Sequence, residues 1–512
     1  MRFTVTATAA GSRARAGTLE LGRATVATPA FMPVGTRGTV RTVPPAQLAA
    51  LDAQILLANT HHLGRRPGAD ALARLGGLHR WIGWPRAILT DSGGYQAFSL
   101  PGTAIDDDGV VLRDPAGRTT RLTPERSLAI QRAIGADVMM VLDHCVAATA
   151  PRGEAEAAMH RTHRWAARAL AARGGGPGAL FAIVQGACDP ELRRISAETL
   201  TALAFDGYAI GGLAVGETAR EREDTVARVT PLLPADRPRY LMGVGTPLDL
   251  LEAVHRGVDL FDCILPTAVA QHGVAYTSLG RIDLARGVHR LSERALDPAC
   301  GCPACAGPSR AYLHHLIKCA EPVGWQLVAH HNLAFYLRLM ARVRAALAAG
   351  AFAPLYAAER AILDRPDPDH PPGPPLRARP RPAEARGAFA IHRAAEGFAS
   401  VRHAASGELM HAANHPDDEA ARLYVDQSAV LARALAAPRA DDAPLVVWDV
   451  GLGAGHNAMA LIRAAAAATA AGRGRAIELV SFERDLDALA LALAHPGAFP
   501  HVRHRAPHVL AA

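Results

Sequence analysis

Polar and apolar positions along this chain repeat a simple pattern. A short apolar run ends on a polar residue or glycine, and a stretch of helical periodicity follows. Three runs end on aspartate: Arg86-Ala-Ile-Leu-Thr-Asp91, Asp137-Val-Met-Met-Val-Leu-Asp143 and Gly257-Val-Asp-Leu-Phe-Asp262. Three others end on Gln or Gly: Ala179-Leu-Phe-Ala-Ile-Val-Gln185, Gly207-Tyr-Ala-Ile-Gly-Gly212 and Arg239-Tyr-Leu-Met-Gly-Val-Gly245. Unbroken apolar runs of this length read as strands buried on both faces. Between them, Pro124–Ile134 predicts a helix capped by Thr123, and Pro190–Leu200 one capped by Asp189, each with proline in its first turn. Repeated strand–helix units over residues 1–363 predict an α/β fold, a TIM (β/α)8 barrel ahead of an open doubly wound sheet. An unpaired buried carboxylate is costly, so the strand-end aspartates are expected to open into a polar pocket.

The pattern stops near residue 364. Residues 364–388 are rich in Pro and Arg and read as a semi-rigid linker, and a second globular stretch occupies 389–512. A length of 512 residues at 50% hydrophobic content supports two cored domains. The formal charge of +7 is compatible with a polyanionic partner, nucleic acid being the commonest. Met1-Arg-Phe-Thr-Val-Thr lacks a signal-peptide pattern, and the Ala-rich Leu461–Ala471 is too short to span a bilayer. Seven cysteines in so long a chain do not suggest a disulfide scaffold, so a cytoplasmic protein without a membrane partner is expected.

Three of those cysteines cluster as Cys300-Gly-Cys302-Pro-Ala-Cys305. With one imidazole they would form a closed, structural zinc site. His331, His330, His314 and His315 are the available fourth ligands, while Cys145, Cys188, Cys263 and Cys319 read as packing residues. Taken alone, Asp91 before Ser-Gly-Gly reads equally well as a helix N-cap, and Tyr95 and Met242 as core residues.

Several segments together resemble the bacterial tRNA-guanine transglycosylases, or queuine tRNA-ribosyltransferases. They are Phe31-Met-Pro-Val-Gly-Thr36, Leu89-Thr-Asp-Ser-Gly-Gly-Tyr-Gln96, Ile183-Val-Gln-Gly186, Gly207–Glu217, Tyr240–Gly245, Phe261-Asp-Cys-Ile-Leu-Pro-Thr267 and the cysteine cluster. The resemblance covers residues 1–363 and implies a TIM barrel with an inserted zinc subdomain at about 290–335. It implies exchange of the wobble guanine in a tRNA anticodon loop for 7-aminomethyl-7-deazaguanine, in queuosine biosynthesis. Asp262 would be the nucleophile forming a covalent ribosyl-enzyme, and Asp91 the general acid/base. Asp143 would read the base edge, Gln185 and the Gly212 N–H its exocyclic oxygen, and the Leu213 carbonyl the aminomethyl group. Tyr95 and Met242 would sandwich the ring, Ser92 would touch the substrate, and His331 would complete the zinc site with Cys300, Cys302 and Cys305. The family typically forms homodimers around the zinc subdomain.

Two departures stand out. The family usually follows Leu-Pro-Thr with two nearby arginines and Asn-Gly, whereas this chain reads Leu265-Pro-Thr-Ala268-Val-Ala-Gln271-His272-Gly273. After Asp143 the chain has His144-Cys145-Val in place of Glu or Gln followed by Cys-Thr. The alternatives are a catalytically weak or silent tRNA-binding paralogue or partner subunit, and a hydrolase using the same two carboxylates.

Downstream, Leu445-Val-Val-Trp-Asp-Val-Gly-Leu-Gly-Ala-Gly-His456 is a strand entering a glycine-rich turn, and Ile477–Glu483 a strand ending on a carboxylate. With Tyr424-Val-Asp-Gln-Ser428, this piece resembles the methyltransferase half of the bifunctional enzyme that finishes 5-methylaminomethyl-2-thiouridine. The resemblance implies S-adenosylmethionine bound by Gly451, Gly453, Gly455 and Glu483. Too few residues follow Glu483 for a complete doubly wound sheet, so a partial domain without independent methyltransferase activity is expected.

Overall fold

The computed structural model describes residues 1–99, 102–113, 119–365, 384–394, 397–410, 415–435, 444–470 and 476–504. It divides into two compact units, Met1–Pro372 and Gly373–Ala512. Residues 366–383, most of the expected linker, lie outside the described residues.

In the first unit eight strands close a barrel: β1 (Ala30–Gly35), β2 (Ile55–Ala58), β3 (Ala87–Thr90), β4 (Val138–Met140), β5 (Ala179–Val184), β6 (Gly207–Ile210), β7 (Arg239–Leu241) and β8 (Leu260–Cys263). Each pairs in parallel with the next, and β8 closes on β1 with Leu260 opposite Ala30 and Cys263 opposite Pro33. Every residue of β2, β3, β5, β6 and β8 is buried, as expected of strands with side chains filling the barrel on one face and meeting helices on the other. The fold expectation holds: this is the TIM barrel, not the open sheet.

Local sequence signals set the helices between the strands. Thr123 Oγ1 accepts from Arg126 N–H at 3.2 Å to start Pro124–Ile134, and Gly135, at φ 82°, ends it. Asp189 Oδ1 accepts from the N–H groups of Glu191 and Leu192 to start Pro190–Thr201. At the other end of β8 from Asp262, buried Asp259 takes a bidentate pair from Arg15 at 2.9 and 2.6 Å. Two aspartates in one short run thus have opposite fates, one clamping the barrel's entry and one standing at its exit.

After β8, helix Leu265–Ala270 leads into the hairpin Val274–Thr277/Gly280–Asp283, two short helices (Pro303–Ala306 and Arg310–Lys318) and the long helix Pro322–Ala348. The long helix packs on both Leu265–Ala270 and β1, so it serves the barrel wall and the subdomain together. Asn332, fully buried, sews them: its Nδ2 donates to Pro266 O and Val274 O, and its Oδ1 accepts from Tyr276 N–H.

The second unit holds a small antiparallel sheet including Phe389–Arg393 and Ala399–His403, and a parallel pair, Leu445–Val450 with Ile477–Phe482. Burial alternates along Leu445–Val450, leaving Val446, Trp448 and Val450 exposed on one face. No helix of the described residues is long and apolar enough to cross a membrane.

Candidate active site

A cavity of about 360 Å³ opens at the C-terminal end of the barrel, walled by residues at or just after every strand except β5. Asp91, Asp143 and Asp262 all line it, so the pocket expected from the three aspartate-ended runs exists. Asp262 lies within β8, 8% exposed, and both its protein hydrogen bonds fall on Oδ1: Tyr240 OH donates at 2.6 Å and Gly243 N–H at 2.7 Å. That leaves Oδ2 for chemistry. Burial raises the Asp262 pKa, and the two donors oppose the rise.

Asp91 follows β3, where Thr60 N–H donates to Oδ1 at 2.7 Å and Asn59 Nδ2 donates to Oδ2. Its pKa is raised to about 7, first by burial and further by the charges of Asp262 and Asp143, with the Thr60 N–H opposing. Asp143 is raised to about 6 by burial, against hydrogen bonds from Gln185 Nε2 at 2.7 Å and Ser92 Oγ at 3.3 Å. Gly94 is required here, because a Cβ would lie 2.6 Å from Asp143 Oδ1.

The remaining sequence candidates gather around these acids. Ser92, Tyr95, Gly212, Leu213 and Met242 line the cavity; Tyr95 and Met242 come from β3 and β7, four strands apart and so on opposite walls. Tyr95 is half exposed and free of the core. Gln185 does not line the cavity; it stands behind Asp143, which its amide holds. Gly212, at φ 64°, approaches Gln185 so closely that a Cβ would sit 2.3 Å from Oε1. His144 turns away from the mouth: Arg161 donates to its Nδ1 at 3.0 Å and its ring neighbours Trp165, so His144 itself does not line the cavity.

The second cluster is closed. Cys300, Cys302, Cys305 and His331 are buried with their donor atoms within 4.8 Å of one another. The Cys302–Cys305 sulfur separation is 3.7 Å, and His331 Nδ1 lies 3.5 and 3.3 Å from those sulfurs. Tetrahedral zinc with Zn–S bonds of about 2.3 Å spaces its sulfurs by about 3.8 Å, so the donors fit the ion. His331 Nε2 is 2.8 Å from Tyr276 O; donating there fixes the tautomer that presents Nδ1. Of the four histidines open from sequence, His331 is the one in the cluster.

A family model described as queuine tRNA-ribosyltransferase matches residues 10–361. The chain belongs to that family. A queuine tRNA-ribosyltransferase of Brucella melitensis is 48% identical over 342 residues, covering 66% of this chain and 91% of the relative. Those of Sphingopyxis alaskensis and Herpetosiphon aurantiacus are 47% and 45% identical, over 69% and 67% of this chain and 96% and 88% of theirs. The family match ends before the second unit begins.

Within the family member's cavity, sequence reasoning passed over Asn59, His62, Tyr240 and Gly243 as site residues. Asn59 had a signal, since Ile55-Leu-Leu-Ala is another apolar run that ends on a polar residue. Tyr240 did not, because an inward tyrosine within a strand looks like core until the neighbouring strand brings Asp262 to it. Cys145 and Cys263, read as packing residues, line the cavity wall, and Cys319 is on the surface.

In the second unit, Gly451, Gly453 and Gly455 all take positive φ, forming the expected turn. Glu483, however, spends its carboxylate inside the unit: Oε2 accepts from Gly453 N–H at 2.7 Å and Oε1 from Arg484 N–H at 2.8 Å.

Proposed function

We propose that this transferase exchanges the wobble guanine of tRNA for 7-aminomethyl-7-deazaguanine by double displacement. The observation that carries the reading is Asp262, with Oδ1 held by two donors and a second oxygen left for attack, in one cavity with a carboxyl whose pKa is about 7. An Asp262 oxygen forms a bond to C1′ of the ribose as the C1′–N9 bond breaks, and Asp91 gives its proton to the departing guanine. Asp91 then removes a proton from the incoming base, which attacks C1′ and releases Asp262. Two inversions at one carbon retain its configuration. Asp143, as the anion, accepts the N–H donors of the base edge, with Gln185 setting its orientation and the Gly212 N–H and Leu213 carbonyl reading the other groups. Tyr95 and Met242 stack on the base, offsetting the few kcal/mol of pulling it from its loop, and Ser92 supports Asp143.

Zinc bound by Cys300, Cys302, Cys305 and His331 would be structural, tying the subdomain to the barrel's last long helix. A homodimer built on that subdomain is supported by exposed Val288, Leu291, Tyr312 and Val323. A cytoplasmic site of action fits the tRNA substrate. The boundaries proposed are a catalytic barrel at 1–363, a linker at 364–388 and a partial methyltransferase-like unit at 389–512; its glycine turn is the support for S-adenosylmethionine binding.

Incubating the full chain with tRNA and radiolabelled guanine tests the exchange. Incorporation without net loss of base from the tRNA supports it; net hydrolysis would identify the hydrolase instead. A silent tRNA-binding subunit is favoured by one observation, the lack of a cation on helix Leu265–Ala270. It predicts neither label nor covalent RNA adduct.

A further inference from the structure

Cations are distributed unevenly around the cavity mouth. The stretches directly after β3 (91–99), β4 (141–151), β5 (185–189), β6 (211–218), β7 (242–246) and β8 (264–272) contain no arginine or lysine. The stretches after β1 and β2 contain Arg37, Arg41, Arg65 and Arg66, all exposed. Among the stretches that directly follow the strands, the cations therefore lie after β1 and β2.

The two loops are built to hold them there. Gly35 O accepts from Gly38 N–H at 2.9 Å, a tight turn that leaves Arg37 directed out beside cavity-lining Thr36. Gly38, at φ 79°, lets the turn seat against Leu78, where a Cβ would come within 3.1 Å. On the neighbouring loop, Asn59 Oδ1 accepts from His62 N–H at 2.9 Å and starts helix Thr60–Leu63; Arg65 follows directly. His62 lines the cavity between the two loops. Arg37 adjoins cavity-lining Thr36 and Arg65 lies three residues beyond cavity-lining His62, whose pKa is lowered by burial and then by the charges of both arginines. Arg37 has no ion pair among the described residues.

A nucleotide whose base enters the cavity must leave its flanking phosphates at the rim, and phosphate contacts set the register of an RNA on a protein. We infer that Arg37 and Arg65 are the phosphate clamp that positions the RNA backbone at the β1–β2 rim, a task the cation-free helix after β8 cannot perform. The inference rests on the transglycosylase reading for the identity of the polyanion. Its two guanidiniums hold phosphates flanking the flipped nucleotide; they touch neither the base nor the reacting carbon, so they are positioning residues.

The test is Arg37→Gln/Arg65→Gln in the full chain, with Arg37→Gln alone as the variant less exposed to folding defects. Base exchange and direct binding of unmodified tRNA, by fluorescence anisotropy, are both followed across a salt series. The expected result is a rise of about tenfold in KM and Kd for tRNA with kcat and the KM for free guanine unchanged. The slope of log affinity on log salt should become shallower by about 0.7 for each cation removed, and Arg37→Lys should restore most of it. Unchanged tRNA affinity and salt slope in the double variant overturn the inference. If the wild-type chain exchanges no base, the transglycosylase reading fails, and the anisotropy comparison still decides whether these arginines grip RNA.

Discussion

Asp262 and Glu483 carry the same sequence signature, a carboxylate at the end of an apolar strand, and the two units use it in opposite ways. In the barrel, closure of eight strands brings Asp262 to a shared cavity with Asp91 and Asp143, and only one of its oxygens is taken up by the protein. In the second unit the sheet around Glu483 has two strands with an exposed face, and both oxygens are bonded to neighbouring backbone N–H groups. A strand-end acid becomes a reactive site when other strand ends surround it with buried space. Where they do not, the nearest donors satisfy it, and it serves as a turn fastener.

The comparison fails at once if the barrel acid is dispensable. Asp262→Asn is expected to lower exchange by on the order of 10⁴-fold or more and to abolish any covalent protein–RNA adduct on a denaturing gel. Asp91→Asn is expected to cost about 10² to 10⁴ in kcat. For the wild type, Asp143 must be ionised to read the base, so activity rises through about pH 6; Asp91 must carry a proton to release guanine, so it falls through about pH 7. The alkaline limb of kcat/KM should disappear in Asp91→Asn, and a limb that persists would assign it elsewhere.

The same shift has a stability consequence. A folded pKa near 7 against 3.8 unfolded means stability is lost as pH rises from about 4 to about 7. Asp91→Asn should therefore raise Tm at pH 8 and leave it nearly unchanged at pH 4. Cys302→Ser or chelation is expected to lower Tm of the first unit by several degrees and to release one zinc, measured by calorimetry and metal analysis. Ala268→Arg/Gln271→Arg should lower the tRNA KM several-fold by adding cations to the helix after β8, which has none. Smallest of all, Glu483→Gln should leave exchange unchanged while costing about 1 kcal/mol of second-unit stability in denaturant melts.

Much of this molecule was legible before folding because its signals are local. Apolar runs marked barrel strands, Thr123 and Asp189 marked helix starts, and the cysteine spacing marked a metal site. The family motifs singled out Asp91, Asp143 and Asp262 as one constellation, and the structure puts them in one cavity. The hydrogen bond from Gln185 to Asp143 was not legible, because a partner on another strand is not written in a strand's own pattern. His144 stood out in sequence as a departure beside Asp143; the fold turns its ring onto Arg161 and Trp165.

By itself, then, the sequence determined the strand–helix alternation, the identity of the acids and sulfurs, and the kinship of residues 10–361. Those are properties of short segments, set by hydrophobic periodicity, capping and ligand chemistry. Tertiary structure alone decided that Tyr240 and Gly243 hold one oxygen of Asp262, that Asn59 and Thr60 hold Asp91, and that Gln185 bonds to Asp143. Each of these depends on residues far apart in the chain meeting across a closed barrel, where burial shifts a pKa and a neighbouring loop supplies the donor.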